Sequence, residues 1–309
     1  MPEDHSITIR ELWAQTAEAV GARNEARWLC EVATALEGDE FIAGLDEQAT
    51  ERMVAHLDAM VARYRTGEPL QYVLGRWSFR RLDLAIDQRV LIPRPETELV
   101  AEVAIELAAR VPAPRLVTDL GTGSGAIGLS LATELPLEGT TVWITDVSEG
   151  ALAVASSNLA GIGRAARNVR VASGSWCDAL PRGERFDVIV SNPPYVAEGS
   201  PDLEESVAKW EPLEALLAGE DGLDAIREIV AEAPDHLAEG GWLVLEIGAD
   251  QGSAVRELYE HAGLSHIEIR KDLAGHDRIA LGRSHQGGQY NLDPAASASA
   301  PRAAASSLV

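Results

Sequence analysis

The sequence predicts an α/β protein: a mostly parallel sheet covered by helices on both faces, preceded by a small all-helical segment and joined to it by a β-hairpin. Three observations predict this. From Arg115 onward, short apolar runs bounded by breakers alternate with helical stretches, the pattern of strand and crossover helix. Before Thr66, apolar residues recur instead at three- and four-residue steps. Between the two regions lie short alternating segments such as Trp77-Ser78-Phe79 and Leu82-Asp83-Leu84-Ala85-Ile86, which read as a hairpin.

Taken in order, Ile9, Leu12 and Trp13, then Ala26, Leu29 and Val32, then Met53, Leu57, Met60 and Val61 mark helices of a compact bundle that ends at Gly67-Glu68-Pro69. The expected organisation is a helical domain over 1–70, a hairpin linker over 71–91, an α/β domain over 92–283 and a tail over 284–309. In Ile92-Pro93-Arg94-Pro95-Glu96-Thr97-Glu98 two prolines stiffen a loop. The glutamates then open a helix running to about Arg110, with acidic groups at its positive end. Strands are expected at 116–120, 141–145, 169–172, 186–191 and 242–247, with helices around Ile127, Leu152 and Ile226. Two further strands at 267–270 and 278–282 are separated only by a short loop, which suits an antiparallel pair and makes seven strands. The tail is Gly-, Ser-, Ala- and Pro-rich without periodicity, a composition expected to be disordered.

A chain of 309 residues, 46% of them hydrophobic, has ample material for a core, and no run reaches the roughly 18 to 20 apolar residues of a membrane span. The acidic, polar start carries no visible secretory signal, so the cytoplasm is the expected compartment. Cys30 and Cys177 lack the spacing of a metal knuckle or redox pair, and no two histidines stand at helical ligand spacing, so no metal is expected. A formal net charge of −23 repels a phosphate backbone and disfavours nucleic acid as a partner.

Two stretches carry the chemistry. Asp119-Leu120-Gly121-Thr122-Gly123-Ser124-Gly125 lies between a strand and a helix, where alternate glycines let the chain turn sharply and let a ligand approach the backbone. Asp146, at the end of the next strand, stands where a carboxylate accepts ribose hydroxyls. A nicotinamide-binding turn uses nearly the same logic; if the ligand is instead an adenosine carrying an amino acid, no pyrophosphate need be bound and Asp119 suits its ammonium. After the third strand, in Gly174-Ser175-Trp176-Cys177-Asp178, Trp176 either lies against an adenine ring or packs as a core aromatic.

The second stretch is Asn192-Pro193-Pro194-Tyr195, placed at the carboxyl end of the fourth strand, the edge where open α/β sheets bind ligands. A planar amide or aromatic amine is a poor nucleophile because its lone pair is delocalised. The Asn192 side-chain oxygen and the Pro193 carbonyl can each accept one of its N–H groups, and the two prolines hold these acceptors rigid. Tyr195 offers a flat face for stacking. A strand followed by a proline-rich turn is the alternative account of the same residues.

On these residues, and on Trp210-Glu211-Pro212, Gly222-Leu223-Asp224, Leu245-Glu246-Ile247-Gly248 and Gly275-His276-Asp277-Arg278, the chain resembles class I S-adenosylmethionine-dependent methyltransferases with a Rossmann-like sheet. The closer resemblance is to the HemK/PrmC family, the peptide chain release factor glutamine methyltransferases. The tetrad at Asn192 is shared with adenine amino-methyltransferases, whereas the Pro-Arg-Pro-Glu-Thr-Glu loop is more specific. The resemblance implies methylation of the side-chain amide nitrogen of the glutamine in the Gly-Gly-Gln loop of class I release factors; separately, a monomer is expected. It implies that S-adenosylmethionine is held by Asp119, Gly121, Thr122, Gly123, Ser124, Gly125, Asp146, Trp176 and Asn192. Asn192, Pro193, Pro194 and Tyr195 would surround the target, and the helical domain and hairpin would dock the release factor. The alternatives are a ribosomal-protein glutamine methyltransferase and an adenine amino-methyltransferase. Gln286-Gly287-Gly288-Gln289 in the tail repeats the substrate tripeptide, either by coincidence or as a pseudosubstrate.

Overall fold

The computed structural model describes residues 7–201 and 203–285. It opens with four helices: α1 (Ile9–Val20), α2 (Arg23–Thr34), α3 (Gly38–Ala43) and α4 (Glu51–Tyr64). The first starts in a capping box, in which the Thr8 hydroxyl accepts from the Glu11 N–H and the Glu11 carboxylate accepts from the Thr8 N–H. Two N–H groups that the helix leaves unpaired are thereby satisfied. Ile9, Leu29, Phe41, Leu57 and Met60 close a core separate from that of the sheet.

A fifth helix, α5 (Leu70–Leu74), occupies residues expected in the hairpin. Pro69 stands at its N-cap, Leu70 and Val73 lie one turn apart against the helical core, and Gly75 ends it at φ 73°. Over so few residues a strand and a helical turn give the same apolar pattern. The hairpin proper is β1 (Arg76–Phe79) and β2 (Leu82–Ala85), antiparallel with Phe79 opposite Leu82. At its tip the Arg80 N–H donates to Glu98 Oε1 at 2.9 Å and the guanidinium pairs with Glu134 at 2.7 Å. These contacts fasten the hairpin to α6 (Pro95–Ala109) and α7 (Ala126–Glu134).

The remaining elements are β3 (Arg115–Leu120), β4 (Thr140–Asp146), α8 (Glu149–Gly161), β5 (Val169–Ser173), β6 (Phe186–Ser191), α9 (Glu205–Trp210), α10 (Asp224–His236), β7 (Leu237–Glu246), α11 (Gly252–His261), β8 (Ser265–Lys271) and β9 (Asp277–Arg283). Their seven-stranded sheet runs β5-β4-β3-β6-β7-β9-β8. All neighbours are parallel up to β7, and β9 is antiparallel to both β7 and β8. The expected seven-stranded, mostly parallel sheet is therefore present. β7 begins five residues earlier than the 242–247 pattern suggests, because Gly240 and Gly241, which look like a turn, continue the strand through an irregularity beside Phe186. Helices α9 and α11 have no sequence expectation. In α11 only Gly252, Val255 and Tyr259 are buried, too sparse a stripe to read.

One face of the sheet is covered through Val100, Ala104, Leu129 and Val154 packing on Val117 and Val142. The other is covered through Ile226, Ile229, Val255 and Tyr259 packing on Ile189 and Leu243. Each fully buried Val, Leu or Ile among these contributes about 1.5–3 kcal/mol. The chain moves outward from β3 to β4 and β5, then returns to the other side of β3 with β6. The reversal opens a crevice at the carboxyl ends of β3 and β6. Among the described residues no helix is long and apolar enough to cross a membrane.

Candidate active site

The crevice is walled by the turn from β3 into α7. The Thr122 N–H donates to the Thr145 carbonyl at 2.8 Å and the Gly123 N–H to Asp146 Oδ2 at 2.9 Å, tying the turn to the end of β4. Gly121 takes φ 66°, and a Cβ there would stand 3.1 Å from the Trp176 ring, so glycine is required twice over. Asn158 on α8 holds the turn from below, its Nδ2 donating to the carbonyls of Ser124 at 2.8 Å and Ala85 at 3.0 Å. The hairpin and the glycine-rich turn thus share one side chain that no motif marked.

A cavity of about 270 Å³ results, lined by Asp119, Gly121, Thr122, Gly123, Ser124, Asp146, Trp176, Asn192 and Pro194 among others. Of the residues expected at the cofactor, Gly125 is the one that does not line it. At φ 89° it is the N-cap of α7 and acts on the turn's shape.

Two carboxylates set the electrostatics. Asp119 is 1% exposed, and its Oδ2 accepts from Thr122 Oγ1 at 2.6 Å and from the Gly128 N–H at 2.8 Å. Burial pushes its carboxyl up to about 7, more than those two hydrogen bonds pull it down. A cation at the cavity floor would therefore be strongly favoured. Asp146 is likewise raised by burial; its two oxygens accept from the Ser148 and Gly123 N–H groups, each at 2.9 Å, and keep lone pairs for further donors. Trp176 sits at φ 38°, its ring in the cavity wall and its Nε1 donating to Glu228 Oε2 on α10 at 2.8 Å. An ammonium, a ribose and a flat base match this set: a buried acid, a second acid at the mouth, and an aromatic wall over a bare glycine.

Asn192 reaches the cavity with its amide directed. Nδ2 donates to Thr97 Oγ1 at 3.2 Å, and no hydrogen bond to Oδ1 is present among the described residues. The Pro193 carbonyl is also unpaired among the described residues, although Pro193 is buried and does not itself line the cavity. Tyr195 corrects an expectation. Its ring packs against the core beneath α10, its hydroxyl donates to Glu246 Oε1 at 3.1 Å, and it does not line the cavity. The buried carboxylate captures the hydroxyl and draws the ring behind the loop, so Tyr195 braces Asn192-Pro193-Pro194 instead of offering a stacking face.

Arg94, Glu98 and Glu211 prove to be braces. Arg94 pairs with the buried Glu211 at 2.5 Å, and the other Glu211 oxygen accepts from the Ile92 N–H at 3.0 Å. Glu98 holds the hairpin tip, as described above. The loop before α6 is thus locked to the segment after α9. Gln251 locks the far side: its Nε2 donates to the carbonyls of Tyr195 at 3.0 Å and Gly222 at 3.1 Å. Gly222 takes φ 73°, and an added Cβ would press on the Tyr195 carbonyl and on Gln251 Nε2. Gly222→Ala is therefore expected to cost about 2–3 kcal/mol in chemical denaturation and to slow turnover several-fold by displacing the loop. Cys30 and Cys177 are free and buried, and burial pushes their thiols up to about 11 and about 12, which leaves them inert.

Known proteins agree with this geometry. The PrmC N-terminal domain family matches residues 10–75, and the Methyltransferase small domain family matches residues 102–209. The release factor glutamine methyltransferase of Pseudomonas aeruginosa is 47% identical over 226 residues, 73% of this chain and 79% of that protein. That of Escherichia coli (strain K12) is 37% identical over 280 residues, 90% of this chain and 98% of that protein. The chain belongs to the release factor glutamine methyltransferase family. The hMettl16 catalytic domain, solved with the MAT2A 3'UTR hairpin 6, is 15% identical with a TM-score of 0.50 and covers 77% of this chain and 83% of its own, a likeness of fold alone. S-adenosylmethionine is the cofactor of this methyltransferase fold, and the cavity's acids and aromatic wall fit it. The Gln286-Gly287-Gly288-Gln289 repeat lies outside the described residues.

Proposed function

We propose that this protein transfers a methyl group from S-adenosylmethionine to the side-chain amide nitrogen of the glutamine in the Gly-Gly-Gln loop of class I peptide chain release factors. The observation that carries the reading is the Asn192 side chain at the cavity, its Nδ2 fixed on Thr97 and its oxygen without a hydrogen bond among the described residues, with the Pro193 carbonyl next to it in the chain. Two acceptors on one side of a carboxamide hold both its N–H groups and favour the lone pair opposite them. The bound cofactor supplies an electrophilic methyl carbon.

The rest is done by the chain's own residues. Asp119 holds the ammonium, Asp146 accepts ribose hydroxyls, Trp176 covers the base, and Asn192 with Pro193 orients the amide. Acceleration then comes from positioning and exclusion of water, with no dedicated base. The segment up to residue 70 and the hairpin over 71–91 would dock the release factor, while 92–283 carries the chemistry. The free enzyme would be a cytoplasmic monomer without a nucleic-acid partner, in keeping with the net charge of −23.

The test is transfer of a labelled methyl group to three acceptors: an unmethylated class I release factor, a ribosomal-protein extract, and nucleic acid. Label is expected on the release factor, and on its Gly-Gly-Gln glutamine when the peptide is sequenced. Label on nucleic acid or a ribosomal protein in its place would reverse the assignment.

A further inference from the structure

Behind Asn192 lies a buried polar chain drawn from three separate parts of the sequence. Thr97, 4% exposed in the first turn of α6, accepts from Asn192 Nδ2 at 3.2 Å. Glu246, 1% exposed at the end of β7, accepts the Tyr195 hydroxyl on Oε1 at 3.1 Å, while its Oε2 is buried with no hydrogen-bond partner. The Thr97 hydroxyl is close enough to this carboxyl to favour its ionised form, and Oε2 itself has no hydrogen-bond partner. Arg278 on β9 approaches the same group, its Nη1 3.5 Å from the Tyr195 hydroxyl and 3.1 Å from the Ile247 carbonyl. An unpartnered buried carboxylate oxygen is costly, and nothing in the cofactor site uses Glu246.

We propose that Glu246 is a positioning residue: acting through the Thr97 hydroxyl, its carboxylate keeps the Asn192 carboxamide turned so that the oxygen, and not the NH2 group, faces the cavity.

The reason is proton counting. Thr97 Oγ1 has one proton to give. When Glu246 is ionised that proton turns toward it, and the lone pairs left on Oγ1 require a donor from Asn192, which must be Nδ2–H. That leaves Oδ1, which has no hydrogen bond among the described residues, free to face the cavity that Asn192 lines. When Glu246 carries a proton, the Thr97 hydroxyl is released and can donate to Asn192 Oδ1. The amide then turns over and presents a donor to the substrate's own NH2 group. The groups facing Glu246 are Thr97 and Glu96 from α6, Tyr195 from the loop after β6, and Arg278 from β9. Burial dominates among them and pushes the carboxyl up to about 7. An acid raised in this way is ionised only above that value, so the productive orientation is gained as pH rises through it.

The inference rests on the proposed reading of Asn192, and one set of variants separates the two. Turnover of an unmethylated release factor at saturating S-adenosylmethionine is measured from about pH 5.5 to about pH 9 for the parent, Asn192→Ala, Thr97→Val, Thr97→Ser and Glu246→Gln. The parent's turnover is expected to rise about tenfold per pH unit below about 7 and then level off. Glu246→Gln is expected to lose that limb. Thr97→Val is expected to lose about tenfold or more in turnover with the cofactor KM within about twofold, and Thr97→Ser to regain most of the loss. A parental pH profile in Glu246→Gln, or parental turnover in Thr97→Val, overturns the inference. Should Thr97→Val fail to fold in a thermal melt, the Glu246→Gln profile decides alone. An Asn192→Ala enzyme as active as the parent overturns the reading of Asn192 itself. An inactive Asn192→Ala beside a fully active Thr97→Val overturns only the part given to Glu246 and Thr97.

Discussion

Asn192→Ala is expected to lower turnover on a release factor by about 100- to 1,000-fold, equivalent to about 2.7–4 kcal/mol of lost transition-state stabilisation. The oxygen it removes has no hydrogen bond among the described residues, and its amide is held by a contact to Thr97 at the cavity. Lone-pair direction at the target nitrogen matters only as the new bond forms, so the loss falls on turnover and not on substrate affinity. S-adenosylmethionine affinity, measured by calorimetry, should stay within about threefold, because the proposed reading gives the ammonium, ribose and base to Asp119, Asp146 and Trp176. Parental turnover in the variant would remove Asn192 from the chemistry.

Asp119→Asn is expected to weaken S-adenosylmethionine binding by about 30- to 100-fold while making the empty protein more stable. Both effects follow from one buried carboxyl. In the empty protein its pKa stands at about 7, against an ordinary carboxylate value near 3.8, because burial disfavours the charge. The unfolded chain therefore releases this proton first as pH rises, so Asp119 withdraws stability progressively between about pH 4 and about pH 7. Above that window the cost reaches at most about 4 kcal/mol by the shift alone, and relaxation makes about 1–3 kcal/mol the realistic expectation. Asparagine can still accept from Thr122 and Gly128, the two donors now on Oδ2, and carries no charge. Denaturation of parent and variant should give similar stabilities near pH 4 and a gap favouring the variant near pH 8; no gap at pH 8 would show the carboxyl to be better solvated than its burial implies. Cofactor affinity should run the other way. It rises with pH through about 7 in the parent as Asp119 ionises, and it should lose that acid limb in the variant.

The two stretches to which the chemistry is assigned could be singled out in the sequence for the same reason. Gly121 and its neighbours, and Asn192 with its prolines, are marked by backbone conformation and by acceptors inside the motif, and those are local properties. Asp146 was legible because strand length places it. Tyr195 was misread because its partner, Glu246, is 51 residues away and on another strand. Gly125 was assigned to the cofactor on its place in a repeat, whereas its geometry serves the helix that follows. α5 was read as part of a hairpin because five residues do not distinguish the two apolar periods.

Apolar period and breaker residues are short-range signals, and they suffice for the alternation of strand and helix, hence for a parallel sheet and, through the connection rules, for which turns share an edge. Which groups stand behind the site is a matter of packing. Thr97 with Asn192, Arg94 with Glu211, Asn158 with Ser124 and Gln251 with Tyr195 are pairs from 34 to 117 residues apart. A hydrogen bond between groups so distant leaves no periodic trace in the chain, because it depends on where whole elements pack and not on what lies beside each residue.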